Sequence, residues 1–176
     1  MPPSRCNRNS GVLVAILVAL GLLGTVVLGM WSAGIWINTT PSFPIGLYQE
    51  TGPGSNADTG DLVVFCLPRE RWLREPPWSW RCPDRAQPIL KQAAALPGTK
   101  VAIDAGGIWV DGRPVPNSRP LPRLESIATS GRVPAGMFWA LSDHSPDSYD
   151  SRYFGPLPLP AIRAVVRPLL FQRVFN

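Results

Sequence analysis

The chain has 176 residues, with 21 prolines, 16 glycines and a formal net charge of +5. Each interior proline removes a helical hydrogen bond and clashes with the preceding turn, so this composition excludes a helix bundle as the main body. The positive excess forms no arginine-lysine stripe interleaved with aromatic residues, and no nucleic-acid partner is expected.

The first element in chain order is VLVAILVALGLLGTVVLGMW, from Val12 to Trp31. It carries no charge, and at the helical rise it spans about 30 Å, one hydrocarbon core. Arg5 and Arg8 precede it, and no charge follows until Glu50. A positive flank stays in the cytoplasm. The expected layout is therefore a cytoplasmic N-terminus over 1–11, an anchor in the inner-membrane lipid bilayer over 12–31, and a periplasmic domain over 32–176. Trp31 and Trp36 suit the far interface. A cleaved secretory signal and a buried core helix are the competing readings, although GMWSAGIW offers no convincing small-x-small cleavage site.

The region beyond the anchor is long enough for one compact domain with its own core. Its apolar runs are short and rich in β-branched residues. DLVVFCL (61–67), TKVAID (99–104) and GMFWAL (136–141) read as strands. GGIWVDGRPV places Asp111-Gly112 between apolar positions, a hairpin signal. AIRAVVRPLLF, from 161, reads as a strand interrupted by Pro168, with a short helix as the alternative. The fold class expected is mostly β, about half a dozen to ten strands with long loops, behind one transmembrane helix.

The segment 68–88 has no usable periodicity and reads as an irregular Pro/Trp-rich insertion. Trp72, Trp78 and Trp80 pack on the body or touch lipid or substrate; both readings stay open. Cys6 falls on the cytoplasmic side as a free thiol. Cys66 and Cys82 flank the insertion on the outer side, where an oxidising compartment permits a disulfide; two unpaired thiols are the alternative. Two cysteines and one distant histidine do not supply the usual zinc spacing, so no metal is expected.

A serine hydroxyl needs a base to act as a nucleophile near neutral pH. His144, the single histidine, sits in the polar stretch SDHSPDSYD, where a loop histidine needs no catalytic explanation. Lysine serves instead if burial holds its amine neutral. Lys91 has Ile89 and Leu90 before it and Ala93 to Leu96 after it, whereas Lys100 follows a Pro-Gly turn and reads as solvated. A snorkelling structural lysine remains the plain alternative for Lys91. For Ser42, in TTPSFPIGLY, a turn shaped by Pro41, Pro44 and Gly46 is the plain alternative.

Four segments together resemble the type I signal peptidase superfamily, peptidase family S26, and within it the TraF-type conjugative transfer peptidases. PSFPIGLY resembles the nucleophile segment. Gly60-Asp61-Leu-Val-Val-Phe resembles the Gly-Asp strand motif. ILKQAAALPG resembles the general-base motif, and SDHSPDSYDSRYFGPLP the last family box. Each is weak alone; their order behind one anchor makes the signal. The last box departs from the Gly-Asp-Asn-Arg-Asp-Asn start usual in bacterial signal peptidases. The stretch between base motif and box is also short for a large accessory subdomain.

The resemblance implies a signal-peptidase-like β domain and a serine endopeptidase with a Ser/Lys dyad. It implies Ser42 as nucleophile, Lys91 as base and Asp150 as catalytic support. Thr40 is implied as an oxyanion donor, with turn capping as the alternative, and Ser148 as a hydroxyl that orients the lysine. Arg152 pairs with Asp150 in structural support, with a surface salt bridge as the alternative for the two, and Gly60 and Asp61 shape the start of a strand. No metal or organic cofactor is needed. The implied substrate is a pilin or another membrane-associated precursor, matured for conjugative transfer machinery or type IV secretion, with cyclisation known in some members. General preprotein processing and a noncatalytic membrane-anchored assembly protein are the alternatives.

Overall fold

The computed structural model describes residues 8–71, 81–83 and 87–171. Arg5, Cys6, Trp72, Trp78 and Trp80 lie outside the described residues, and so do the expectations placed on them.

The apolar run forms helix α1, Arg8–Ser32. None of its membrane-length window is buried against the protein, which removes the core-helix reading. Two hydroxyls in the span bond inward, Thr25 Oγ1 to the Leu22 carbonyl at 2.7 Å and Ser32 Oγ to that of Gly29 at 3.0 Å. Satisfying polar groups within the segment is what a lipid environment demands. The helix ends at Ser32, and the chain turns into the first strand at Gly34, whose φ is +66°. A Cβ there would lie 2.9 Å from Glu50 Cβ, and the Gly34 carbonyl accepts a hydrogen bond from Glu50 N at 2.9 Å. Glycine is thus required both by the turn and by the close approach.

The strands beyond are β1 (Ile35–Asn38), β2 (Gly46–Pro53), β3 (Leu62–Cys66), β4 (Pro88–Ala95), β5 (Lys100–Asp104) and β6 (Gly107–Val110). They continue as β7 (Arg113–Pro114), β8 (Gly131–Arg132), β9 (Met137–Leu141), β10 (Leu157–Pro158) and β11 (Ile162–Phe171). The body is mostly β, as expected. The eleven described strands exceed the expected range because β7, β8 and β10 have two residues each. Strands that short leave no alternation to read.

Two antiparallel sheets result, one of seven strands in the order β1-β2-β11-β3-β4-β9-β10 and one of four in the order β7-β6-β5-β8. The smaller sheet fills the interval between the base motif and the last box. Its β6–β7 hairpin turns at Asp111 (φ 47°) and Gly112 (φ 76°), the positive pair that a two-residue hairpin needs. The run expected from 161 is a strand from Ile162 to Phe171, with Ala161 closing a single 3-10 turn before it. Pro168 is tolerated because β11 pairs there with β2 alone, its pairing with β3 ending at Val166.

Three apolar clusters hold the sheets. Val63, Phe65, Ala93, Phe138 and Phe154 form the first, with Phe65 and Phe138 edge-to-face at 5.6 Å. Ala94, Val101, Ile108, Trp139 and Leu141 join the two sheets. Phe43, Tyr48, Val64, Leu90, Ala164 and Val166 form the third, which includes the neighbour of Ser42.

Candidate active site

The turn between β1 and β2 carries Ser42, and one side chain braces it from within. Asn38 is buried at the end of β1, and its Nδ2 donates to the carbonyls of Thr40 (2.9 Å), Phe43 (3.0 Å) and Pro44 (3.2 Å). Its Oδ1 accepts from Thr40 N at 3.2 Å and Thr40 Oγ1 at 3.0 Å. Tyr48 adds a bond from its hydroxyl to the Pro44 carbonyl at 2.7 Å. Phe43 is buried in the third cluster, so the following residue is anchored while Ser42 stays half-buried at a cavity.

Lys91 lies in the middle of β4, opposite Val63 of β3, and is 2% exposed. Burial pushes its amine down to about 8, the Asp150 carboxylate opposing the fall and the Arg152 guanidinium adding to it. No hydrogen bond or ion pair engages Lys91 Nζ among the described residues. Ser42, Thr40 and Lys91 line one cavity of about 330 Å³ with Asn38, Tyr48 and Tyr149. Residues 36–38 of β1 and 88–91 of β4 form its walls. Among the described residues β1 pairs with β2 alone, and β4 pairs with β9 only from Gln92 onward. Both walls therefore carry unpaired strand edge, which suits an extended peptide.

Behind the lysine the last box forms a closed ion pair. Asp150 and Arg152 are both fully buried, so the surface salt bridge is ruled out. Asp150 Oδ1 receives Arg152 Nε at 2.8 Å, and Oδ2 receives Arg152 Nη2 at 3.0 Å. Asp150 also caps the short helix α2, Ser151–Phe154, by accepting from Arg152 N. The remaining guanidinium protons go to the carbonyls of Asn117, Arg119, Pro146 and Ser148. Ser148 is buried, and its Oγ has no hydrogen-bond partner among the described residues. A buried orphan hydroxyl is costly unless something uses it.

Ser142 connects the two halves. It follows β9 and is fully buried. Its Oγ donates to the Ser42 carbonyl and accepts from His144 N and Ser145 N, both at 3.2 Å, while its own N–H donates to Asp150 Oδ2 at 3.2 Å. His144 is exposed and stacks its ring on Phe43 at 6.2 Å, outside the cavity lining. Thr40 Oγ1 is committed to Asn38, so it must change partner to stabilise an oxyanion.

Gly60 and Asp61 do not line the cavity. Gly60 N donates to the Ala93 carbonyl and Ala93 N to the Asp61 carbonyl, both at 2.8 Å, while Asp61 Oδ2 accepts from Asp58 N at 2.9 Å. They lock the turn before β3 onto β4 two residues from Lys91. Cys66 and Cys82 are joined by a disulfide. Next to it, Arg81 Nη1 donates to the Ile35 carbonyl at 2.9 Å and the guanidinium lies 4.5 Å over the Trp36 ring, so the bridge ties the insertion to β1.

Sequence reading missed Asn38, Ser142 and Tyr149 as site residues. Asn38 ends an unread four-residue strand, and nothing marks it in advance. Ser142 and Tyr149 stand in the recognised last box; serine in place of the usual opening glycine was the available signal for Ser142, and nothing marks Tyr149.

The family described as "Signal peptidase, peptidase S26" matches residues 9–170. The conjugal transfer protein TraF of Agrobacterium fabrum is 36% identical over 169 residues, covering 88% of this chain and 95% of that protein. A plasmid transfer protein TraF of Escherichia coli is 34% identical over 155 residues, covering 78% and 84%. A signal peptidase I crystal structure from Enterococcus faecalis matches with 21% identity and a TM-score of 0.38, covering 62% of this chain and 96% of that one. The family match over residues 9–170 shows that the chain belongs to the signal peptidase, peptidase S26 family.

Proposed function

We propose that this protein is a membrane-anchored serine endopeptidase with a Ser42/Lys91 dyad that matures pilin-type precursors for conjugative transfer. The observation that carries this reading is the shared cavity of Ser42 and a buried lysine whose amine falls to about 8. Neutral Lys91 Nζ takes the Ser42 proton as Oγ bonds to the scissile carbonyl carbon. The Ser42 backbone N–H and, after leaving Asn38, the Thr40 hydroxyl stabilise the oxyanion. The Lys91 ammonium then protonates the leaving amine as the C–N bond breaks. Water releases the acyl-enzyme, or the substrate's own N-terminal amine does so and closes a ring. The unpartnered Ser148 Oγ supports an orienting bond to Lys91, and Asp150 supplies the opposing charge once the ammonium forms.

The transfer role rests on the TraF relatives, which are named as conjugal or plasmid transfer proteins. Helix α1 supports a single-pass anchor, and Arg5 and Arg8 before it support a cytoplasmic N-terminus with the β domain in the periplasm. Coexpression with a candidate pilin and mass spectrometry of the product is the test. The expected outcome is a shortened pilin with wild type and uncut precursor with Ser42→Ala and Lys91→Ala. A ring lacks the mass of one water relative to the linear product. Normal processing by S42A rules out the nucleophile. Maturation of ordinary exported proteins with the pilin untouched assigns general signal peptidase activity instead.

A further inference from the structure

We propose that Ser142 is a positioning residue that aims the nucleophile, by coupling the turn bearing Ser42 to the buried Asp150/Arg152 pair; this rests on the Ser/Lys reading above. The geometry is specific. Ser142 Oγ donates its one proton to the Ser42 carbonyl across 100 residues of sequence. Its two lone-pair positions are filled by His144 N and Ser145 N, which use the full capacity of a hydroxyl. Its rotor therefore has no alternative partner to turn to. Its backbone N–H is held at the same time by Asp150 Oδ2. Asp150 is locked by Arg152, which is itself tied to four backbone carbonyls.

The consequence follows from the peptide plane. The Ser42 carbonyl belongs to the Ser42–Phe43 peptide, whose orientation fixes ψ of Ser42 and so the direction of its Cα–Cβ bond, from which Oγ reaches the cavity in a staggered rotamer. Asn38 holds the Thr40, Phe43 and Pro44 carbonyls of this turn but leaves that of Ser42. Ser142 supplies the missing constraint, and it does so from the loop that also carries the charge acting on Lys91. Nucleophile and base are thereby indexed to one rigid body. Glycine at this position, as in the usual last box, has no side chain with which to make the bond. The hydroxyl is thus a feature of this chain's own sequence.

The test uses the full-length protein in detergent, measuring kcat and KM for precursor cleavage across pH beside thermal unfolding. Ser142→Ala removes the hydroxyl but keeps the N–H bond to Asp150. Ser142→Cys nearly preserves volume with a weaker donor, and Ser142→Thr keeps the hydroxyl. The expected result is a kcat loss of about 10- to 100-fold in S142A and S142C, the scale of a misplaced reacting atom. KM stays within about twofold, and the acid limb of the pH profile stays in place because Lys91's charged neighbours are unchanged. S142T recovers most of kcat. Wild-type kcat in folded S142A or S142C overturns the inference while S42A remains inactive. A loss accompanied by a displaced acid limb also overturns it, since Ser142 would then act through Lys91. Cleavage persisting in S42A overturns the Ser/Lys reading on which the inference rests.

Discussion

Replacing Lys91 by methionine should abolish cleavage and make the protein more stable at neutral pH. Lys91 is 2% exposed, and burial brings its amine from 10.5 to about 8. By linkage that difference corresponds to about 3 kcal/mol against the native state below pH about 8, where the lysine has to carry its charge in a dry setting, and it declines from there to 10.5. Methionine has similar length, no charge and an adaptable thioether, so it keeps the packing beside Val63 and removes the penalty. Incomplete repacking reduces the gain to roughly 1–3 kcal/mol at pH 7, which for a chain of this size raises Tm by about 2–4 °C per kcal/mol.

The sign is checked by pH. Between about 8 and 10.5 the unfolded state binds a proton that the native state has lost, so wild-type stability rises with pH through that window. The Lys91→Met variant has no such group, and its advantage should shrink from pH 8 and vanish near pH 10.5. The assay is thermal unfolding of both full-length proteins in detergent at pH 7, 8, 9 and 10.5, followed by tryptophan fluorescence. A variant less stable than wild type at pH 7, or a gap that ignores pH, refutes the reasoning. On the proposed Ser42/Lys91 mechanism the same titration governs catalysis. Wild-type kcat/KM should rise about tenfold per pH step below 8 and level above it, and at pH 7 about one chain in ten holds the neutral amine.

Arg152→Met should cost about 3–5 kcal/mol, because it leaves the buried Asp150 carboxylate without its partner. In any folded fraction the acid limb should move above 8, since Arg152 helps lower Lys91; denaturant melts and a pH-rate profile read both effects. Cys66→Ser with Cys82→Ser opens a crosslink of 16 residues' separation and should cost about 3 kcal/mol. The pair should also raise KM, because Arg81 then loosens from Ile35 and Trp36 on the cavity wall; unchanged KM in the folded double variant contradicts that link. His144→Ala should keep kcat within roughly tenfold, the loss confined to its stacking on Phe43, and a fall comparable to that of S42A would reinstate a histidine base.

The parts of the fold legible in sequence were those with strong local causes. An uncharged run of bilayer length, the β-branched LVVFC of β3 and the Asp111-Gly112 turn each state their structure within a few residues. Strands β1, β2 and β4 were not read as such. β4 runs PILKQAAA, and alanine carries no strand signal; it is extended because β3 and β9 flank it. That is a tertiary cause, invisible to a local window. The clearest chemical signal in the chain, a lysine among apolar residues, thus lay on an element whose existence had no local cue.

The site divides in the same way. Residue types suggested a serine with a lysine, and the order of four motifs behind one anchor strengthened that pairing. What no spacing supplied was the means of holding them. Ser42 stands on a turn braced by Asn38 from the end of β1 and by Ser142 from the loop after β9, and Lys91 is poised by burial against an ion pair that no alternation predicts. The buried pair has a physical logic. A neutral lysine needs a dry setting, yet the ammonium that the proposed mechanism forms needs a nearby negative charge. Asp150 alone would favour the ammonium at rest; Arg152, bound to it twice, offsets that pull and leaves the carboxylate in place. The resulting amine, at about 8, is deprotonated often enough for the proposed base role and basic enough to accept the serine proton in it.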